Sequence, residues 1–214
     1  MSAELLRSAT PWRSFRWHMG QKHYSGSYWS ATMRDHVIYE SRLELSRLLF
    51  ADFDPLVRFI VAQPFLMEAV VKGEPRRHVP DYLLITGEGP VVVDVKPRER
   101  LTNQKVAFTF DWTGRAVESR GWRYEVWSEP AAARLENLRF LSGYRRDWLF
   151  DSTLLAGLRQ ADLNGLALRD AARIIRRWPE PCARAAIYHL LWAGELCADL
   201  ARPLSPSALL RQTA

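Results

Sequence analysis

Apolar and polar positions follow two different periods along residues 38–127. Helical spacing over residues 38–53 predicts a helix that is buried on two sides and ends at residues 52–55. Turn-forming residues at 72–74 and 87–89 separate short runs rich in β-branched side chains. These runs predict strands at residues 57–61, 65–71, 78–85 and 91–95.

Helical spacing returns over residues 103–119, and residues 122–127 form a further predicted strand. Helix, strands, helix and strand in this order predict an α/β fold, in which a mixed sheet is flanked by helices.

The pattern becomes almost wholly helical after residue 146. Amphipathic helices are predicted at residues 167–177 and 182–193, separated by a break at residues 178–181. A short hydrophobic stretch at residues 195–200 then suggests a strand pair, which completes the layout of a winged helix-turn-helix. The chain is therefore predicted to comprise a basic, aromatic arm at 1–36, an α/β domain at 37–146 and a winged-helix-like, α-rich module at 147–214.

Charge adds a weaker signal about partners. The 214 residues carry a formal net charge of +6, and the isoelectric point is near 9.6, which favours polyanionic partners. The cations are mostly arginine, which suits bidentate phosphate contacts, although genomic base composition explains the arginine content equally well.

Several protein classes are disfavoured. No secretory signal precedes Trp12 and no apolar run reaches membrane-spanning length, so a cytoplasmic protein without a membrane partner is expected. Cys182 and Cys197 lack the spacing of a zinc site and are expected to be buried free thiols.

Two acidic residues occupy the ends of predicted hairpin strands. Asp81 begins one strand, and Asp94 ends the next, so antiparallel pairing makes them neighbours that can share one cation. Lys96 points to the same strand face as Asp94 and can activate water or stabilise charge on a phosphate. The carbonyl of Val95 is a candidate further ligand. Taken singly, each feature also fits a surface ion pair or ordinary turn chemistry.

A third carboxylate is expected from the first predicted helix. Glu44 lies at the border of its apolar face, whereas Glu40 lies further toward solvent. Glu44 is therefore the candidate for reaching a metal ion or water, and Glu40 is expected to be a solvated helix charge. Gln63 is a weaker candidate for facing the same site.

The motifs together resemble a known family. They are, in chain order, Ser41-Arg42-Leu43-Glu44, Phe53-Asp54-Pro55, Gln63-Pro64, Val79-Pro80-Asp81-Tyr82 and Val93-Asp94-Val95-Lys96-Pro97. Over roughly residues 10–146 this combination resembles the TnsA-type endonuclease subunit of heteromeric transposases, within the PD-(D/E)xK superfamily of restriction-like nucleases.

The resemblance implies a restriction-endonuclease-like core that cuts the 5′ ends of a transposon. A DDE-type transposase would cut the 3′ ends, and an AAA+ ATPase regulator would join them on double-stranded DNA. The implied cofactor is Mg²⁺, with Mn²⁺ able to substitute, and the setting is a prokaryotic cytoplasm with nucleoid association during action. The implied catalytic residues are Glu44, Asp81, Asp94 and Lys96. The metal ligands expected from the residues themselves are Asp81, Asp94, the carbonyl of Val95 and Glu44.

Candidate DNA contacts are the cations of the arm, the strands and the C-terminal module. They are Arg13, Arg16, Lys22, Arg76, Arg77, Lys105, Arg173, Arg176, Arg177 and Arg184. His189 is a further candidate on the second C-terminal helix. Because this helix offers few base-reading side chains, docking of a partner protein is at least as compatible with it as sequence-specific DNA binding.

Two other functions remain open from the sequence. One is a stand-alone restriction or repair nuclease on the same core, which would cut DNA without a partner. The other is a non-catalytic DNA-binding scaffold, whose activity would survive loss of Asp94 or Lys96.

Overall fold

A computed structural model describes Trp12 and residues 24–213 of the chain. The chain divides into two compact units between Glu129 and Pro130. Within the described residues, no helix has both the length and the apolar character needed to cross a membrane.

The first unit is a mixed α/β structure. Its elements are β1 (Gly26–Ser30), β2 (Asp35–Tyr39), α1 (Arg42–Phe53), β3 (Val57–Ala62), β4 (Met67–Val71), β5 (Glu74–His78), β6 (Tyr82–Thr86), β7 (Gly89–Val95), α2 (Gln104–Glu118) and β8 (Arg123–Trp127). A four-stranded sheet has the order β3-β6-β7-β8. Its β7–β8 pair is parallel and its other pairs are antiparallel. The predicted mixed sheet with flanking helices is confirmed.

The core lies between this sheet and α2. Val61, Leu83 and Val92 on three sheet strands pack with Val117 of α2. Because side chains alternate across a strand, β6 and β7 use their other residues to face the opposite side, where α1 contacts β3 and β7. Both faces of the sheet are therefore covered, which explains why its strands are nearly continuous apolar runs.

Several predicted elements have different bounds. Residues 38 and 39 belong to β2, and α1 begins after Ser41, whose hydroxyl accepts the N–H of Glu44 at 3.1 Å. The predicted extended run over 78–85 is interrupted between β5 and β6, where Pro80 cannot donate to a ladder. Among the strands of residues 24–213, β4 and β5 pair only with each other, so this hairpin is separate from the four-stranded sheet.

The β1–β2 hairpin is attached to α1 through Asp52, which is 6% exposed. One carboxylate oxygen accepts the Tyr28 hydroxyl at 2.8 Å and the Ala31 N–H at 3.0 Å. The other accepts the Ser30 hydroxyl at 2.5 Å and the Thr32 N–H at 2.8 Å. Part of the predicted arm is thus a hairpin docked on the first unit, whereas residues 1–11 and 13–23 lie outside the described residues.

The second unit is largely helical. It contains α3 (Ala132–Leu141), α4 (Ser152–Gln160), α5 (Leu168–Ala171), α6 (Glu180–Trp192) and the antiparallel pair β9 (Leu196–Cys197) and β10 (Arg211–Gln212). Its boundary precedes the predicted residue 146, because α3 contacts α6 and buries Leu138 and Leu141 completely.

Two predictions for this unit are wrong. The predicted helix over 167–177 is helical only in α5, and residues 172–177 form turns before Trp178 and Pro179 lead into α6. The expected burial of the cysteines is also wrong, since Cys182 and Cys197 are free and exposed. Cys182 lies in the first turn of α6 and Cys197 on a short edge strand, where neither side chain turns inward.

Candidate active site

The site begins where β6 and β7 bring two acidic residues together. The N–H of Asp81 donates to the carbonyl of Val93 at 3.1 Å, which extends the β6–β7 ladder by one residue. The Oδ2 atom of Asp81 accepts the N–H of Val95 at 2.6 Å. These two bonds hold Asp81 beside the end of β7, as antiparallel pairing predicted.

Asp94 is almost completely buried, with 1% of its surface exposed. The Nε2 atom of His78 lies 2.8 Å from its Oδ1 and 2.9 Å from its Oδ2. The hydroxyl of Tyr124 donates to Oδ2 at 2.5 Å. Burial, followed by the charge of Asp94, raises the pKa of Tyr124 above its usual value, so this hydroxyl stays protonated and remains a donor.

Glu44 lies in the first turn of α1 and has both oxygens engaged. Oε2 accepts the N–H of Glu40 at 2.7 Å, and Oε1 accepts the hydroxyl of Ser41 at 2.9 Å. Together with the bond from the Glu44 N–H to the Ser41 hydroxyl, these contacts form a variant of the capping box, in which Glu44 accepts the N–H of Glu40 instead of that of the N-cap residue Ser41. Burial nevertheless raises the pKa of Glu44, and these hydrogen bonds and Lys96 partly offset the increase.

The electrostatics show that the four predicted catalytic residues share one environment. Burial raises the pKa of Asp81 well above its usual range, and the negative charges of Glu44 and Asp94 raise it further. The N–H of Val95 and the ammonium of Lys96 act in the opposite direction. The charges of Glu44, Asp94 and Lys96 therefore all act on Asp81, which is the residue that links the four predicted catalytic positions.

The chain just after β7 is secured by β8 and the residue that follows it. The N–H of Lys96 donates to the carbonyl of Trp127 at 2.9 Å, and the Lys96 carbonyl accepts the hydroxyl of Ser128 at 2.7 Å. Val95, whose carbonyl is a predicted ligand, is buried, and its N–H is bound by Asp81. Hydrogen bonds from Asp81, β8 and Ser128 therefore hold the backbone of residues 95 and 96 on both sides.

The donor set suits a divalent cation in its chemistry. Carboxylate oxygens are the ligands that Mg²⁺ and Mn²⁺ prefer, and crowded like charges are costly until a cation compensates them. Among the described residues, no group of three or more histidine, cysteine, aspartate or glutamate side chains is already arranged to hold a metal ion. The carboxylates are instead held by hydrogen bonds, mainly from His78, Tyr124, Val95 and Ser41.

Sequence reasoning missed His78 and Tyr124 as partners of Asp94. His78 ends β5, and its ring makes edge contacts with Phe110 and Trp112 of α2, with centroids 6.4 and 6.3 Å apart. Tyr124 lies on β8 and packs against Gly114, where an added Cβ would be 3.0 Å from the Tyr124 ring. The glycine inside α2 was the available signal, because a helix accepts this residue where a neighbour needs the space.

The prediction that Glu40 is solvated is wrong. Glu40 is half-buried, and its Oε1 accepts the Nε2 of Gln63 at 2.8 Å. Gln63 is itself buried, has a left-handed backbone with φ of 48°, and donates its N–H to the carbonyl of Asp81 at 2.8 Å. The Gln63 side chain therefore connects β3 to the start of α1 beside the acidic cluster.

The predicted DNA contacts of the first unit are exposed where the structure describes them. Arg76 and Arg77 lie on β5, the former 5.5 Å above the ring of Phe108 and the latter 2.7 Å from Glu68. Lys105 is exposed in the first turn of α2. Arg13, Arg16 and Lys22 lie outside the described residues.

In the second unit, two of the four arginines predicted to contact DNA already form an ion pair. Arg173 and Arg184 both pair with Glu180, at 3.2 and 3.5 Å. Arg176 and Arg177 are exposed, but they lie with Arg173 in the turn after α5 rather than on a helix.

The prediction that His189 contacts DNA is wrong. Its Nδ1 lies 2.9 Å from the carbonyl of Tyr144, its ring stacks on Phe150, and it is 5% exposed.

Comparison with known proteins gives no family assignment. Neither a scan against models of protein families nor a search of curated proteins returns a match.

Proposed function

We propose that this protein is a metal-dependent DNA endonuclease of the PD-(D/E)xK type, acting as the TnsA-like subunit of a heteromeric transposase. The observation that carries the proposal is the position of Asp81 beside the end of β7, where the N–H of Val95 binds its carboxylate and the charges of Glu44, Asp94 and Lys96 all act on it. Three carboxylates and one lysine in one partly buried cluster match the chemistry needed for phosphodiester hydrolysis.

The residues divide the work according to their positions. Asp81 and Asp94 would hold Mg²⁺ or Mn²⁺, with Glu44 and the carbonyl of Val95 as further ligands. When bound, the cation would polarise the scissile phosphate and lower the pKa of an attacking water. Lys96, two residues from Asp94 on the same strand face, would position that water and stabilise the negative charge of the transition state. The expected products carry a 5′-phosphate and a 3′-hydroxyl.

The fold is compatible with a restriction-endonuclease-like core. A mixed sheet supplies the acidic residues from two antiparallel strands, and the preceding helix α1 supplies Glu44. Exposed cations on β5 and at the start of α2, including Arg76, Arg77 and Lys105, offer phosphate contacts within the same unit. The transposition role itself rests on the motif resemblance, with a DDE transposase, an AAA+ regulator and transposon ends as partners.

We assign the second unit a winged-helix-like role. Helices α4, α5 and α6 precede the β9–β10 pair, and an isolated bridge joins Ala167 to Leu209. This order matches three helices and a wing. Helix α6 buries His189 and pairs Arg184 with Glu180, so it has few free groups that could read bases. Partner binding or phosphate contact therefore suits this unit better than sequence readout.

The test is nicking of transposon-end DNA in Mg²⁺ or Mn²⁺, with and without the neighbouring transposase. Wild type is compared with Asp94→Ala and Lys96→Ala, and with Asp111→Asn as a control. Asp111 is an exposed aspartate of α2 that pairs with Arg115 at 2.6 Å, so its variant changes a carboxylate outside the cluster. Folding of each variant is checked by thermal unfolding.

Cleavage that needs the partner, survives in Asp111→Asn and disappears in both cluster variants would support the whole proposal. Cleavage without the partner, with the same sensitivity, would identify a stand-alone nuclease. Folded protein that shows no variant-sensitive cleavage under any of these conditions would leave a DNA-binding scaffold as the function.

A further inference from the structure

Asp94 is the only one of the cluster's carboxylates that is bound by two side chains from other elements of the sheet and hairpin, within the described residues. His78 reaches it from β5 and Tyr124 from β8, across 16 and 30 residues of sequence. A carboxylate only accepts hydrogen bonds, so Nε2 is the protonated nitrogen of His78, and its single N–H is shared by both oxygens. The two donors determine the plane and the rotation of this carboxylate.

We propose that His78 is a positioning residue that orients the Asp94 carboxylate for metal binding and connects it to the β4–β5 hairpin. The inference rests on the proposed function, because it assigns Asp94 a metal. A carboxylate can accept in about four lone-pair directions. Oδ2 of Asp94 is contacted by both His78 and Tyr124, whereas Oδ1 is contacted by His78 alone. Oδ1 is therefore the oxygen with more capacity left for a cation. Partners of this kind keep a ligand oriented before the cation arrives.

The surroundings of His78 support an orienting role. Its ring makes edge contacts with both Phe110 and Trp112 of α2, so packing against this helix restricts the rotation of the ring and the position of Nε2. The position of Tyr124 is secured in the same way by its contact with Gly114. Both donors are therefore fixed by packing, which is the condition for a preorganised ligand.

The hairpin also connects this contact to the DNA-facing surface. Arg76 is two residues before His78 on β5, so both side chains point to the same face. Arg76 and Lys72 lie over the ring of Phe108, at 5.5 and 5.7 Å, on the helix that also contacts His78. A phosphate bound by these cations would hold the hairpin, and hence His78, against α2.

The experiment measures Mn²⁺ binding to the full chain without DNA, by the loss of the free Mn²⁺ resonance signal. His78→Phe keeps an aromatic ring between Phe110 and Trp112 but removes the N–H, whereas His78→Gln restores an N–H donor. His36→Phe is the matched control, because His36 is an exposed histidine of β2 whose Nδ1 lies 3.9 Å from the carboxylate of its neighbour Asp35. Thermal unfolding confirms that each variant is folded.

We expect His78→Phe to raise the Mn²⁺ dissociation constant by about 10-fold or more, the usual effect of losing a partner of a metal ligand. His78→Gln should recover part of the affinity, and His36→Phe should bind as wild type does. Recovery by glutamine separates orientation from packing, because glutamine restores the donor and not the ring. With saturating Mn²⁺ and transposon-end DNA, His78→Phe should lower kcat more than it raises KM.

Two results would overturn the inference alone. Unchanged Mn²⁺ affinity in His78→Phe would show that Asp94 needs no such partner, and tighter binding would show that the histidine competes with the cation. A different result would overturn the metal site itself, and with it the proposed function. That result is a wild-type protein that does not bind Mn²⁺, or one whose Mn²⁺ binding is unchanged by Asp94→Asn.

Discussion

Two acidic centres in the first unit differ in how their charge is satisfied. Asp52 accepts hydrogen bonds from the Tyr28 and Ser30 hydroxyls and from two backbone N–H groups, so each of its oxygens meets two donors. Asp81 accepts one hydrogen bond, from Val95, and is crowded by Glu44 and Asp94. A carboxylate surrounded by donors alone, as Asp52 is, stabilises the fold, whereas carboxylates that crowd one another, as Glu44 and Asp94 crowd Asp81, are those that a cation can compensate.

The difference teaches how to read buried acids in this protein. A buried carboxylate whose oxygens all meet donors lowers the energy of the folded state, and its removal leaves those donors unpaired. Carboxylates that repel one another raise the energy of the folded state. Such an arrangement is retained only where function requires it. Activity should therefore depend on one centre and stability on the other.

The largest expected effect is on cleavage by Asp94→Asn. Asparagine preserves the shape and can still accept from Tyr124, but the charge that holds a cation is lost. We expect cleavage to fall on the order of 10³-fold, since metal coordination supplies several kcal/mol of transition-state stabilisation. Single-turnover cleavage of transposon-end DNA with the partner transposase measures this. Activity close to wild type would remove Asp94 from the site.

The next effect is on stability, through Asp52→Ala. The substitution leaves the hydroxyls of Tyr28 and Ser30 and two backbone N–H groups without their acceptor. We expect the free energy of unfolding to fall by about 3 kcal/mol, measured by urea denaturation. Tyr28→Phe, which removes a single donor, should cost only about 1 kcal/mol. Equal losses in the two variants would contradict the shared role of this carboxylate.

Glu44 tests the comparison most sharply, because it is both a helix cap and a member of the cluster. Glu44→Gln keeps a residue that suits the third position of a capping box, so stability should stay within about 0.5 kcal/mol of wild type. Cleavage should fall by at least about tenfold if its charge assists the metal site. A variant that retains both stability and full cleavage would show that Glu44 acts as a cap alone.

The smallest effect is a gain in stability from Asp81→Asn. Burial and the neighbouring carboxylates raise the pKa of Asp81, so the folded state binds its proton more tightly than the unfolded chain does. The stability that protonated Asp81 gives is present below the ordinary carboxyl range and is lost as pH rises through the raised pKa. Asp81→Asn should remove this fall and stabilise the metal-free protein at neutral pH by about 1 kcal/mol.

Thermal unfolding over a pH series checks the prediction. In wild type, added Mg²⁺ at neutral pH should give a gain similar in sign to that of Asp81→Asn, and the variant itself should respond little to Mg²⁺. A variant that is less stable than wild type at neutral pH would mean that Asp81 is satisfied in the manner of Asp52.

The sequence predicted the sheet strands and the acidic pair well. The runs at residues 57–61 and 91–95 lie within β3 and β7, and residues 103–119 correspond closely to α2. A short glycine turn sets the register of β6 and β7, so the relation of Asp81 to Asp94 could be derived from spacing. The sequence did not predict where α1 begins or where α5 ends. The helical spacing of apolar residues extends beyond these helices, into β2 before α1 and into a turn after α5.

Local periodicity determined which residues form the sheet and which acidic groups lie at its end, because neighbours in sequence govern strands and tight turns. Only tertiary packing decided which hydrogen-bond donors reach each buried carboxylate. Asp52 meets donors that lie 20 to 24 residues away, and Asp94 meets His78 and Tyr124 across 16 and 30 residues. Such pairs depend on how α1, α2 and the β4–β5 hairpin settle against the sheet, and no repeat or spacing in the chain encodes that arrangement.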